Sequence, residues 1–343
     1  MSMVTALDGM AFAAAQAARV GWFLAEYRLS ARMARGTMPK AEGLAGGPQT
    51  ADILADLRRL FARDWRNVRA GFYRLPHDLL PRPGRLLADS RRYFGDLPQV
   101  NRRRRGWRSA EVSADGAGLP DYYLQNFHFQ TDGYLSDRSA GLYDHQVEVL
   151  FGGGADAMRR QLLVPIHHML GARPAEGVRL VDVACGTGRF LSFLKDTHPM
   201  MPVTGIDLSR PYLAEAGRLL SPWRRVQLVQ AAAERLPLAD ASADIVTCIF
   251  LFHELPRDVR HRAAAEMARV LRPGGQLVFL DSLQLGDRPS YDGLLEYFPR
   301  AFFEPYYEDY IRDDLIGVFA GAGLAFAALD HVFMSKLLLF EKP

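Results

Sequence analysis

The apolar positions of this chain change their period near its middle. In the first half they recur every three to four residues, as in Ile53, Leu54, Leu57, Leu60, Phe61 and Trp65 within 51–68. Met158, Leu162, Leu163, Ile166 and Met169 repeat the spacing further on. Such spacing lays one apolar stripe along a helix and predicts core-facing helices. From about residue 177 the pattern becomes short, continuous apolar runs, at 181–183, 203–207, 226–230, 244–250 and 277–281. Runs of this length predict strands, and 244–250, β-branched and unbroken, predicts a central strand buried on both faces. The class is therefore α/β. A helix over 311–322, ended by Gly321 and Gly323, and strands over 324–328 and 331–340 predict a closing antiparallel hairpin.

Candidate chemistry concentrates where the strand runs end. Val181-Asp182-Val183 breaks into Ala184-Cys185-Gly186-Thr187-Gly188, and glycine there permits positive φ and close approach of a ligand to bare backbone. A third glycine of the dinucleotide fingerprint would fall at Leu191, so the pyrophosphate-binding version is not met. Asp207 closes the next strand about twenty positions beyond the turn, where a doubly wound fold places a carboxylate against ribose hydroxyls. The run 226–230 leads into Ala231-Ala232-Ala233-Glu234-Arg235-Leu236-Pro237, and Val270-Leu271-Arg272-Pro273-Gly274-Gly275-Gln276-Leu277 follows later.

In that order these segments resemble the class I S-adenosylmethionine-dependent methyltransferases, in their small-molecule, ubiquinone/menaquinone-biosynthesis-like branch. The resemblance covers residues from about 178 to the end. It implies a Rossmann-like sheet, mostly parallel with the last strand antiparallel, preceded by a mainly helical extension. It also implies S-adenosyl-L-methionine as cofactor, S-adenosyl-L-homocysteine as its product, and no metal. The cofactor residues carried over are Asp182, Ala184, Cys185, Gly186, Gly188, Asp207, Leu208, Ala233, Glu234, Phe250 and Tyr143. The acidic residue usual in the adenine loop aligns with Ala232, which leaves backbone near Ala233, or Glu234, for adenine. The asparagine-proline-proline-aromatic signature of nucleic-acid amino-methylating enzymes is absent, since Leu251-Phe252-His253-Glu254 stands in its place.

Three stretches are expected to face the methyl acceptor. The segment 122–144 is dense in polar and aromatic groups and contributes Asn126, His128, Gln130, Asp132 and Tyr134. His253 and Glu254 follow the central strand at the end where open α/β sheets bind ligands. An aromatic insertion, 282–310, is expected to close over the acceptor with Glu304, Tyr306 and Tyr307 lining the pocket. His253, His128 and Tyr134 are the catalytic candidates, with histidine suited to taking a proton near neutrality. The alternatives are a satisfied polar loop for the first stretch and an aromatic mini-core for the third. His167 and His168 have no matching Cys, His or Asp cluster, so no metal site is expected.

Composition changes this picture little. With 42 basic and 39 acidic side chains the chain is nearly balanced, and its two cysteines make no disulfide framework, which suits a reducing cytoplasm. Cys185 reads as a small wall residue of the turn. The apolar stretches at 10–15 and 20–24 are interrupted by Asp8, Gln16, Arg19 and Glu26 short of a membrane span and read as an amphipathic docking helix. Its basic tail, Arg28, Arg32 and Arg35, makes peripheral contact with an anionic membrane the less favoured alternative. Arg102 to Arg105, with Trp107 and Arg108, form the strongest basic run and the best case for RNA, against which stands the overall charge balance. The expected organisation is a helix and linker over 1–50, a helical cap over 51–176, and a cofactor domain over 177–343. The expected function is methyl transfer to a small molecule. An RNA methyltransferase and a noncatalytic cofactor-binding module are the alternatives, and the acceptor and oligomeric state are left open.

Overall fold

A computed structural model describes residues 6–40, 46–79, 82–107, 112 and 118–343. Seven strands form one sheet: β1 (Leu180–Val183), β2 (Val203–Asp207), β3 (Val226–Gln230), β4 (Ala243–Ile249), β5 (Leu271–Ser282), β6 (Ala325–Val332) and β7 (Ser335–Glu341), in the order β3-β2-β1-β4-β5-β7-β6. β1 to β5 pair in parallel, and β7 runs antiparallel between β5 and β6. This is the expected mostly parallel Rossmann-like sheet. Strand order reverses between β1 and β4, so the crevice outside their C-terminal ends is the natural ligand position. β4 is the middle strand, and Ile245, Val246 and Cys248 are fully buried within it.

Among the described residues, the first half does not build a core of its own. Helix Thr50–Ala70 buries Leu57, Leu60 and Val68 in a cluster that includes Met158, Leu162 and Ile166 and also Ile245, Val278 and Leu280 of the sheet. Beneath it the buried Asp64 carboxylate accepts from Arg160 Nε at 3.0 Å and from the Tyr73 hydroxyl at 2.7 Å. A second bridge joins Asp56 to Arg288 at 2.9 Å and to the Tyr291 hydroxyl at 2.5 Å. The insertion is thereby tied to the first half.

Several boundaries differ from the sequence expectation for physical reasons. The predicted helix 311–322 is broken. Asp313 is drawn to Arg260 (2.6 Å) and Arg257 (3.2 Å), and Asp314 caps a shorter helix, Leu315–Gly321, by accepting from the Gly317 amide at 2.9 Å. The Pro-Gly-Gly segment does not stand apart as a turn but begins β5, where Gly274 at φ +71° donates its amide to the Lys342 carbonyl at 2.8 Å. The first helix, Ala6–Met33, buries Phe12, Ala15 and Phe23 on one side but leaves Met10 71% exposed and Leu29 and Met33 exposed as well. Its amphipathicity is weaker than expected. Among the described residues, no helix is long and apolar enough to cross a membrane.

Candidate active site

A cleft, open at its mouth, lies at the C-terminal ends of β1, β2 and β4. One wall is Ala184, Gly186, Asp207 and Leu208, with Ala231, Ala232 and Ala233 beyond them. The opposite wall is aromatic: Tyr122, Tyr123, Tyr134, Tyr143 and Tyr212. Phe250, Leu251, Glu254 and Leu255 close the far end.

The two glycines of the β1 turn do different work. Gly186, at φ +54°, has nothing within 4 Å of where a Cβ would stand, so its bare backbone faces the cleft. Gly188, at φ +75°, faces inward, and a Cβ there would lie 2.9 Å from Leu220 Cδ1 and 3.2 Å from Ala216. Asp207 is fixed by the amides of Gly186 and Ser209, each donating to one of its oxygens at 2.8 Å. Burial nevertheless lifts its carboxyl to about 6, while those amides pull the other way. Asp182 sits behind it, lifted to about 7 by burial although the Thr247 hydroxyl donates to it at 2.6 Å. The loop before helix Asp137–Leu150 is joined to the turn by that helix's Asp144, which accepts from the Thr187 hydroxyl at 2.8 Å.

At the far end, groups from three distant stretches converge. Glu254 accepts from the Tyr134 hydroxyl and lies 3.8 Å from both His128 Nε2 and His253 Nε2. Glu304 Oε1 is 3.0 Å from His128 Nε2. Asp281, at the end of β5, is 2.5 Å from His253 Nδ1 and accepts from the Phe252 amide at 2.8 Å, which fixes the imidazole against the sheet. Burial lifts the Glu254 carboxyl to about 7, reinforced by Glu304. Burial alone would lower the His253 imidazole, but Asp281 outweighs it and holds it at about 9. His128 is raised in the same way, with Glu304 overcoming the effect of burial.

Residues 181–279 match the family model described as Methyltransferase domain. The chain's C-terminal half is thus similar to methyltransferase domains. The chain is 36% identical over 152 residues to the ubiquinone/menaquinone biosynthesis C-methyltransferase UbiE of Syntrophotalea carbinolica, covering 44% of this chain and 60% of that protein. It is 37% identical over 110 residues to the demethylmenaquinone methyltransferase of Staphylococcus aureus, covering 32% and 45%. The chain thus spans about half the length of the curated relatives it matches. A crystal structure of a SAM dependent methyltransferase from Aquifex aeolicus overlays with a TM-score of 0.40 at 21% identity, covering 53% of this chain and 91% of that one.

Within this methyltransferase fold, Ala184, Gly186, Asp207, Leu208, Ala233, Phe250, Tyr143, Tyr134 and Glu254 line the cleft. Others expected to touch ligand do not line it. Gly188 packs against a helix, and Asp182 and Cys185 are buried behind the turn. Glu234 is turned away to accept from the Tyr122 hydroxyl at 2.8 Å, leaving the backbone at Ala232 and Ala233 to face the cleft. Asn126 and Gln130 are buried, but their amides donate to the carbonyls of Gln130 and Gly133, each at 2.9 Å. They hold their own loop. Asp132 is exposed at φ +63°. Tyr307 packs in the core with its hydroxyl 2.6 Å from Ser282, and Tyr306 accepts from Gln125 at 2.8 Å. Glu304, His128 and His253 stand one layer behind Glu254.

Two residues with a place here carried signals that went unused in the sequence. Tyr212 lines the cleft, its hydroxyl 2.9 Å from Ser139, and it follows the Ser209 cap of the helix after β2. Asp281 is a charged residue ending an otherwise apolar strand run, a position that buries a carboxylate beside the site. The basic run sits at the end of helix Pro83–Gly106, where Arg104 donates to the Ala301 carbonyl at 3.0 Å and Arg103 to that of Phe129 at 3.2 Å. Arg108 lies outside the described residues.

Proposed function

We propose that the protein transfers a methyl group from S-adenosylmethionine to a ring carbon of a small hydroxylated aromatic acceptor of the reduced-quinone type. The observation that carries the reading is one unbroken cleft running from Gly186 and Asp207, past five tyrosines, to Glu254. The first end fits the cofactor: bare backbone at Gly186 admits close approach, and the Asp207 carboxylate keeps lone pairs for ribose hydroxyls. The names of the curated relatives, a ubiquinone/menaquinone biosynthesis C-methyltransferase and a demethylmenaquinone methyltransferase, support the acceptor class.

When bound, S-adenosylmethionine supplies an electrophilic methyl group on a positively charged sulfonium. Asp207 and Leu208 would hold its ribose, the Ala232 and Ala233 stretch its adenine, and Gly186 with Tyr143 its amino-acid end. Tyr134 and Phe250 offer flat ring faces and Leu255 an apolar one, which orient a planar acceptor and exclude water, so that positioning supplies much of the rate. Glu254 and the Tyr134 hydroxyl orient an acceptor hydroxyl, with His253 and His128 behind them as positioning residues. Residues 51–176 and the 282–310 insertion act as the cap.

Incubation with methyl-labelled S-adenosylmethionine and a reduced naphthoquinone, with an RNA fraction kept separately, tests this. Label in the naphthoquinol alone is expected. Label only in RNA would replace the acceptor class, and no label despite measurable cofactor affinity would favour a noncatalytic module. The inward engagement of Arg103 and Arg104 argues against the RNA outcome.

A further inference from the structure

We propose that His128, Glu254 and Glu304 form a binding site for one first-row divalent metal ion at the closed end of the cleft. The metal-binding part stands apart from the methyl-transfer reading. The part that places an acceptor oxygen on the ion rests on it.

The three residues come from stretches that share no sequence spacing, yet one ligand atom from each lies within 4.8 Å of the others. His128 Nε2 is 3.0 Å from Glu304 Oε1 and 3.8 Å from Glu254 Oε1. Ligands at about 2.0–2.2 Å from a common ion stand roughly 3–4 Å from one another, so the two separations bracket what one ion requires. The Glu304 side chain is fully inaccessible to solvent, and neither of its oxygens accepts a well-formed hydrogen bond. In a satisfied structural glutamate both oxygens would find donors, because leaving a buried carboxylate without them is costly. Two carboxylates sharing one enclosed space also repel, and where Glu254 has the Tyr134 hydroxyl as a donor, Glu304 has only His128 Nε2 beside one oxygen and nothing at the other. A doubly charged cation between them relieves both defects.

The arrangement is built before any ion arrives. The His128 amide donates to the carbonyl of Phe303, the residue before Glu304, at 3.0 Å, so the histidine loop and the insertion are locked in register. His128 itself is held at φ +56° within a kinked turn, a backbone conformation that persists in non-glycine residues only when its surroundings enforce it. Glu254 follows β4 by one short helical turn, Phe252–Glu254. Its other neighbour, His253 Nε2 at 3.8 Å, is itself held in place by Asp281 through its opposite nitrogen.

One imidazole and two carboxylates suit manganese, iron(II) or zinc better than magnesium or calcium, which favour all-oxygen shells. With three protein ligands the ion keeps an open position. Glu254 also lines the cleft, so that position borders the acceptor end, where an oxygen of a hydroxylated ring is the chemically matched fourth ligand.

The test uses full-length protein stripped with chelator and titrated calorimetrically with Zn²⁺ and Mn²⁺, followed by Co²⁺ loading and visible absorption spectroscopy. One ion per chain is expected, weakened at least tenfold by Glu304→Gln and by His128→Gln. His168→Ala, at an exposed histidine, should leave it unchanged. The Co²⁺ bands should shift when a reduced naphthoquinone is added. Circular dichroism and S-adenosylhomocysteine titration of each variant show whether it remains folded and whether the cofactor end still works, so failure here is distinguishable from failure of the methyltransferase reading. Absence of ion binding by the wild type, or binding unchanged in both Glu304→Gln and His128→Gln, would overturn the site. Ion binding lost in His168→Ala alone would assign it to adventitious surface histidines and overturn it equally.

Discussion

The two sides of the cleft are built on opposite principles. The cofactor side comes from consecutive strand ends of one sheet, where each functional group sits immediately after an apolar run and is positioned by backbone amides, as Asp207 is by Gly186 and Ser209. The acceptor side is assembled from residues 122–134, 251–255 and 304, and its polar groups are positioned by one another across more than a hundred residues of chain. The difference explains what can be inferred locally. A strand-end geometry repeats wherever the strand-turn-helix pattern does, whereas a convergence of loops leaves no period in the sequence.

The largest effect should come from the buried ion pair beneath helix Thr50–Ala70, which supports the cap behind the acceptor side. Asp64→Ala leaves Arg160 buried without its carboxylate partner and should cost about 3–5 kcal/mol, read from urea unfolding. A loss under about 1 kcal/mol would mean that this ion pair carries little of the packing within residues 51–176. Gly188→Ala comes next. It forces a side chain into positive φ and against Leu220, for roughly 1–3 kcal/mol in the same assay, with any loss of cofactor affinity following only from misfolding.

A pH titration sharpens the comparison on the cofactor side alone. Burial raises Asp207 to about 6 and Asp182 to about 7, above the roughly 3.9 of an unfolded aspartate, so the folded apoprotein holds these protons more tightly. Their contribution to stability is therefore fully present below about pH 4 and is lost as pH rises through about 6 and then about 7. Cofactor affinity should run the other way, falling by up to about tenfold per pH unit below about 6 as the Asp207 carboxylate is neutralised. Affinity independent of pH between 5 and 8 would separate Asp207 from the ribose. The smallest effect is expected from Arg102→Ala combined with Arg105→Ala. Both side chains are exposed, and stability should change by no more than about 0.5 kcal/mol, whereas Arg104→Ala should lose several-fold more.

Most of the fold was legible because continuous apolar runs and strand-ending turns leave few alternatives, and β1 to β5 lie where those runs lie. Within the site, the sequence pointed to Gly186 and Asp207 but could not separate Gly186 from Gly188. Both glycines take positive φ, and only the packed structure shows that one faces the cleft and the other faces Ala216 and Leu220. Asn126 and Gln130 looked ligand-facing because amides in an aromatic loop have no obvious partners in sequence. Their partners are the loop's own carbonyls. Glu304 was legible as a residue of the insertion but not as a neighbour of His128, since that contact depends on how the insertion folds back across residues 127–129.

Calorimetric titration of the wild type and Asp207→Ala with S-adenosylhomocysteine asks whether the turn after β1 and the end of β2 grip an adenosyl group. One site per chain is predicted for the wild type, with roughly 10–100-fold weaker binding in the variant through loss of charge-assisted hydrogen bonds. Folded wild-type protein that takes up no S-adenosylhomocysteine, or a variant that binds it equally well, would contradict that assignment.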